Sequence, residues 1–85
     1  MKEVKYVLKD PMGIHARPAG QLVRMAGKCK CDIQIGSPAK MVNAKRIIGV
    51  MALTLKQGDE ITMTFSGEDE EEAALTIGKF LEDNF

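Results

Sequence analysis

The chain has 85 residues, 45% of them apolar, and its 12 basic and 12 acidic side chains cancel. Residues 1–85 suffice for a single domain with a thin core, because a domain this small buries only about 60% of the surface its unfolded chain exposes. The thin core argues against a deep enclosed active site, the lack of any run of about 18 apolar residues against a membrane span, and the zero net charge against a nucleic-acid binder, which should show a basic excess. The opening Met1-Lys2-Glu3-Val4-Lys5 lacks the apolar stretch of a signal peptide, so a cytoplasmic location is expected.

Val4, Tyr6 and Leu8 alternate with Lys5 and Lys9, which predicts a first strand over residues 4–8. Asp10-Pro11-Met12-Gly13 ends it with turn residues. Ala16, Ala19, Leu22, Val23 and Ala26 recur at helical spacing, so a helix is expected from Ala16 to Gly27. Pro18 suits its first turn, where a missing N–H removes no helical bond, and Gly27 suits its stop. Asp32-Ile33-Gln34-Ile35 reads as a second strand, Gly36-Ser37-Pro38-Ala39 as a turn, and Lys40-Met41-Val42-Asn43 as a third strand returning in a hairpin.

The segment from Lys45 to Leu53 is too apolar all round for an ordinary surface helix. A short helix with Val50 and Leu53 inward fits, and leaves some of Ile47, Ile48 and Met51 exposed. After the Gln57-Gly58-Asp59 turn, Ile61, Met63 and Phe65 alternate with Thr62, Thr64 and Ser66 in a fourth strand. Asp69 with Glu72 forms a capping-box pattern, Glu70 to Glu72 suit a helix start, and Ala74, Ile77, Gly78 and Leu81 form the buried stripe of a last helix. The order β-α-β-β-α-β-α, with strands wet on one side, predicts an α+β fold: a four-stranded antiparallel sheet with three helices on one face.

The charges are unevenly distributed. Residues 1–46 hold ten Lys/Arg against three Asp/Glu, and residues 47–85 hold two against nine. Either the basic half presents a face to an acidic partner, or the halves attract each other within the fold. Cys29 and Cys31 are too few ligands for structural zinc and too close for an unstrained disulfide, so no metal site is assigned. Lys28 and Lys30 are placed to lower a thiol pKa.

The richest stretch is Gly13-Ile14-His15-Ala16-Arg17-Pro18-Ala19, which carries the chain's single histidine. A neutral imidazole is a nucleophile, and at a helix start it meets free N–H groups and the positive end of the dipole. Ala16 and Arg17 would bind phosphate through the backbone, and the Arg17 guanidinium suits a phosphoryl oxyanion. Gly13 permits a backbone conformation closed to other residues, and Ile14 gives an apolar rim. The plainer alternative is a histidine that caps the helix beside a solvated arginine. Exposed Ile47, Ile48 and Met51 would form an apolar interaction patch; the alternative is that all three lie in the core.

Asp10-Pro11-Met12-Gly13-Ile14-His15-Ala16-Arg17-Pro18-Ala19 resembles the active-site motif of the histidine-containing phosphocarrier (HPr) family of the bacterial phosphoenolpyruvate-dependent sugar phosphotransferase system. Val42-Asn43-Ala44-Lys45-Arg46-Ile47-Ile48-Gly49-Val50-Met51 resembles the family's second motif, and the likeness covers the whole chain. The resemblance implies an open-faced β-sandwich and a stoichiometric carrier, not an enzyme by itself. His15 would be phosphorylated on Nδ1 (the pros nitrogen), with Arg17 stabilising that state. Enzyme I would be the donor and enzyme IIA domains of sugar permeases the acceptors. Ile14, Arg46, Ile47, Ile48 and Met51 would form the docking surface of a monomer that needs no cofactor and does not insert in membranes. Arg46 departs from the family, which usually has a serine there. In many Gram-positive members an ATP-dependent kinase phosphorylates that serine, and arginine has no hydroxyl to modify. A regulatory binding module or paralogue, in which phosphorylated His15 is a signal, is the competing reading. A thiol or metal protein built on Cys29 and Cys31 is a third.

Overall fold

A computed structural model describes residues 1–85. The elements run β1 (Lys2–Val7), α1 (Ala16–Gly27), β2 (Asp32–Ser37), β3 (Lys40–Asn43), α2 (Ile47–Met51), β4 (Glu60–Ser66) and α3 (Glu70–Asn84). The four strands form one antiparallel sheet in the order β1-β4-β2-β3. The predicted α+β architecture and element order are the observed ones.

Strand alternation builds the core. One register row crosses the whole sheet, Val4 opposite Met63, Met63 opposite Ile35, and Ile35 opposite Val42. The neighbouring rows add Tyr6 with Ile61, and Ile33 with Phe65. On this face Ile33, Ile35, Ile61, Met63 and Phe65 are buried, under Ala19, Leu22 and Ala26 of α1 and Ala73, Ile77 and Leu81 of α3. The opposite face carries Glu3, Lys5, Gln34 and Thr64, and no helix covers it. Thr62 belongs to that open face, opposite Lys5 and Gly36, yet is buried with its hydroxyl unpartnered.

Several local expectations give way to tertiary geometry. β2 continues through Gly36 and Ser37, so the hairpin turn is only Pro38-Ala39. Gly36 allows this, because its φ is +153° and a Cβ there would collide with the Lys40 carbonyl oxygen. In α1 Pro18 is buried and Ala16 is exposed, the reverse of the expected stripe at those positions. Gly27 is helical and Lys28 is the C-cap at φ −83°, so the helix ends through tight bonds from Lys28 N to Met25 O and Cys29 N to Ala26 O. A left-handed glycine cap is not used there.

At α3 the expected capping box is not formed. The Asp69 carboxylate instead accepts from the N–H groups of Lys30 (2.9 Å) and Cys31 (2.8 Å). Those donors hold it below the usual carboxylate range, the Lys30 N–H being the largest cause. The carboxylate is thus directed across the fold and not onto its own helix. Ala73, not Ala74, is the fully buried alanine of that stripe, and Ala74 is half-buried. Lys2 pairs with Glu71 at 3.7 Å on the surface, one exposed point at which the basic and acidic halves meet.

Candidate functional site

The loop between β1 and α1 is held from three sides. The Gly13 N–H donates to the Asp10 carbonyl (2.8 Å), and the Ile14 N–H donates to the Leu55 carbonyl (3.3 Å). The Phe85 carbonyl accepts from the N–H groups of Lys9 (2.6 Å) and Asp10 (2.8 Å). Gly13 sits at φ +63°, where a Cβ would press into the main chain of Leu55 and Lys56. This close approach sets where the next two residues emerge.

His15 is the N-cap residue of α1, in extended backbone, and its carbonyl accepts the first helical bond from the Ala19 N–H at 3.0 Å. Its side chain does not cap the helix. The ring is half-buried, turns back toward the loop, and places Nε2 3.2 Å from Asp10 Oδ2. The Phe85 ring lies beside it, inclined at 66° with ring centroids 6.4 Å apart. The other carboxylate oxygen of Asp10 accepts from the Met12 N–H at 2.8 Å. That bond is the main reason the Asp10 carboxyl is held below its ordinary range, and His15 adds to it.

Ala16 and Arg17 are the first two residues of α1, so their N–H groups have no carbonyl partner within the helix. Both residues are exposed. Ile14 is half-buried and packs partly against the core, so only a portion of it faces outward. α2 turns Val50 fully inward and leaves Ile47, Ile48 and Met51 exposed by 40%, 83% and 38%. The arrangement expected for this segment, with Val50 and Leu53 inward, is the observed one. A shallow hollow beside the patch is lined by Val23, Lys45, Arg46, Ile47 and Ile48. Arg46 is the exposed N-cap residue of α2. Arg17, Arg24 and Arg46 have no carboxylate within ion-pair distance.

The two cysteines lie at the far end of α1, roughly 18 Å along a twelve-residue helix from His15. Lysine activation does not occur there. Burial, helped by the nearby Asp69 carboxylate, raises the Cys29 thiol and pushes Cys31 up to about 11. Both thiols are free, and no three His, Cys, Asp or Glu side chains converge in a metal-binding cluster. No helix is long and apolar enough to cross a membrane.

Two neighbours of the histidine escaped the sequence reading. Asp10 is read as a turn residue and as part of the resembling motif, with no signal of its contact to the His15 ring. Phe85 is distant in sequence and gave none.

The comparisons with known proteins bear on the family and the fold. The family model described as "PTS HPr component phosphorylation site" matches residues 2–83. The phosphocarrier protein HPr of Mycoplasma pneumoniae is 46% identical over 83 residues, covering 96% of this chain and 94% of that protein. The HPr of Lysinibacillus sphaericus is 43% identical over 81 residues, covering 95% and 92%. The crystal structure of HPr from Thermoanaerobacter tengcongensis superimposes with a TM-score of 0.91 at 40% identity, covering 98% of this chain and 93% of that one. With the fold, the lone histidine at the start of α1 and the full-length matches in accord, the chain belongs to the HPr phosphocarrier family of the phosphotransferase system.

Proposed function

We propose that this chain takes a phosphoryl group from phospho-enzyme I onto Nδ1 of His15 and hands it to enzyme IIA domains of sugar permeases. The observation that carries this reading is the placement of His15. The ring is at the helix start but free of any capping duty, next to two unpartnered backbone N–H groups. Such a site suits a transferring phosphoryl group, which needs positioning and charge stabilisation more than covalent help. The exposed Arg17 supplies a guanidinium for the phosphoryl oxygens. The protein is a stoichiometric carrier in this scheme and needs no cofactor.

Docking is assigned to Ile47, Ile48 and Met51 with the outward part of Ile14. Clustered apolar surface of this kind is typical of an interface, and adaptable methionine suits successive partners. The unpaired Arg17, Arg24 and Arg46 favour acidic partner surfaces and faster encounter with them. A monomer suffices for this chemistry. With arginine in place of the usual serine at position 46, the carrier escapes serine-kinase control at that position.

The test is intact-protein mass spectrometry after incubation with phosphoenolpyruvate and a bacterial enzyme I. One acid-labile phosphoryl group is expected on the parent and none on His15→Ala, with the fold of the variant checked by circular dichroism. Phosphorylation of His15→Ala would refute the assignment. If a folded parent takes no phosphate, Arg46→Ser tests whether Arg46 blocks docking. Failure of that variant too would leave a regulatory binding module as the better reading.

A further inference from the structure

The carboxylate facing the histidine is a property of this site that the carrier reading does not itself require. Asp10 is anchored on every polar group it has. Its N–H donates to the Phe85 carbonyl, its carbonyl accepts from the Gly13 N–H, and Oδ1 accepts from the Met12 N–H. Only Oδ2 remains, and it is turned to Nε2 of His15 at 3.2 Å. An ionised carboxylate can only accept. The hydrogen between the two groups is therefore on Nε2, and a neutral imidazole with its proton there has a bare Nδ1. The Phe85 ring packs against the imidazole in a T-shaped contact.

We propose that Asp10 is a positioning residue that holds His15 in the Nε2–H tautomer, so that Nδ1 is the nitrogen presented for phosphoryl transfer. The inference rests on the carrier reading above. On loading, the Nδ1 lone pair forms the N–P bond as the bond from phosphorus to the donor's leaving group breaks. The ring keeps its Nε2 proton and becomes a cation opposite the Asp10 carboxylate. On unloading, the acceptor's nucleophile bonds to phosphorus, the P–Nδ1 bond breaks, and its electron pair returns to Nδ1. The same neutral tautomer is regenerated, and the ring exchanges no proton in either direction. Carboxylates fix imidazole tautomers in this way beside metals and in hydrolase triads.

The decisive variant is Asp10→Asn, because it keeps shape and turn while reversing one polarity. Its single side-chain oxygen can still accept from the Met12 N–H, which turns the amide NH2 toward Nε2. Nε2 must then accept, and the proton moves to Nδ1. Nitrogen-15 NMR of the imidazole, recorded in the neutral form, reads the tautomer directly. The parent should be predominantly Nε2–H and Asp10→Asn should shift toward Nδ1–H. Single-turnover phosphorylation by enzyme I should slow by about ten-fold or more, the scale of a lost charge-assisted hydrogen bond. Asp10→Glu, which retains an acceptor, should lose less than Asp10→Asn. An unchanged tautomer in Asp10→Asn overturns the proposal, as does a changed tautomer with an unchanged rate. If the parent itself takes no phosphate, the carrier reading fails, while the NMR comparison still decides the tautomer.

Discussion

Replacing Gly13 with alanine tests the claim that the main chain around Leu55 and Lys56 fixes the histidine loop. Gly13 has φ +63°, and its built Cβ would collide with the Leu55 carbonyl oxygen and lie 2.9 Å from the Lys56 Cα. A left-handed conformation costs a residue with a Cβ about 1–2 kcal/mol. Both obstructing groups are main chain and cannot swing aside as a side chain would, so an overpacking cost of roughly 1–3 kcal/mol adds to it. The stiffer unfolded chain gives back about 0.4–1 kcal/mol. The net loss is about 1–4.6 kcal/mol, and at about 4–8 °C per kcal/mol for a domain of this size the midpoint falls by roughly 4–37 °C. Thermal unfolding followed by far-UV circular dichroism measures this. Phosphorylation by enzyme I, assayed well below the lowered midpoint, should also slow, because the displaced loop strains the bonds from Gly13 N to Asp10 O and Ile14 N to Leu55 O that hold the histidine loop. Gly20→Ala is the control, since Gly20 lies inside α1 with nothing within 4 Å of an added Cβ. It should stabilise by up to about 1 kcal/mol. A midpoint for Gly13→Ala within 3 °C (roughly half a kcal/mol) of the parent, with normal transfer, would mean that the main chain of Leu55 and Lys56 does not fix the histidine loop.

Ile48 is 83% exposed, so Ile48→Ala should change stability by no more than about 0.5 kcal/mol. It should nevertheless raise the concentration of this protein needed for half-maximal phosphorylation by enzyme I, and an unchanged value would remove Ile48 from the docking surface. The Cys31 thiol, raised to about 11, links stability to alkaline pH. The folded state favours the neutral thiol, so its contribution is complete below the unfolded value near 9 and is lost as pH rises through about 11. Urea melts at pH 8 and pH 10.5 should show that loss in the parent and a smaller one in Cys31→Ala. Equal losses in both would sink the linkage. In the folded protein, iodoacetamide should modify half-exposed Cys29 well ahead of buried Cys31.

What the chain determines by itself is mostly what short-range periodicity can carry. The limits of α1 and β3, the inward triplet Ile61, Met63 and Phe65, and the inward Val50 with some of Ile47, Ile48 and Met51 left outside follow from which side chains repeat on which face. The position of His15 at the start of α1 follows in the same way, from a turn ahead of it and a helical repeat after it. Hydrogen-bond partners of polar side chains obey no such repeat. Asp69 has a local use as a helix cap and a distant one at the Lys30 and Cys31 N–H groups, and only the packed fold makes the second pair of donors available. Lys28 and Lys30 are near Cys29 and Cys31 in sequence, but burial, which is a tertiary quantity, together with the Asp69 carboxylate raises both thiols. The surroundings of His15 combine both kinds of information. The motif announces the ring, while the fold decides that Phe85 lies beside it and that the anchored Asp10 carboxylate faces Nε2.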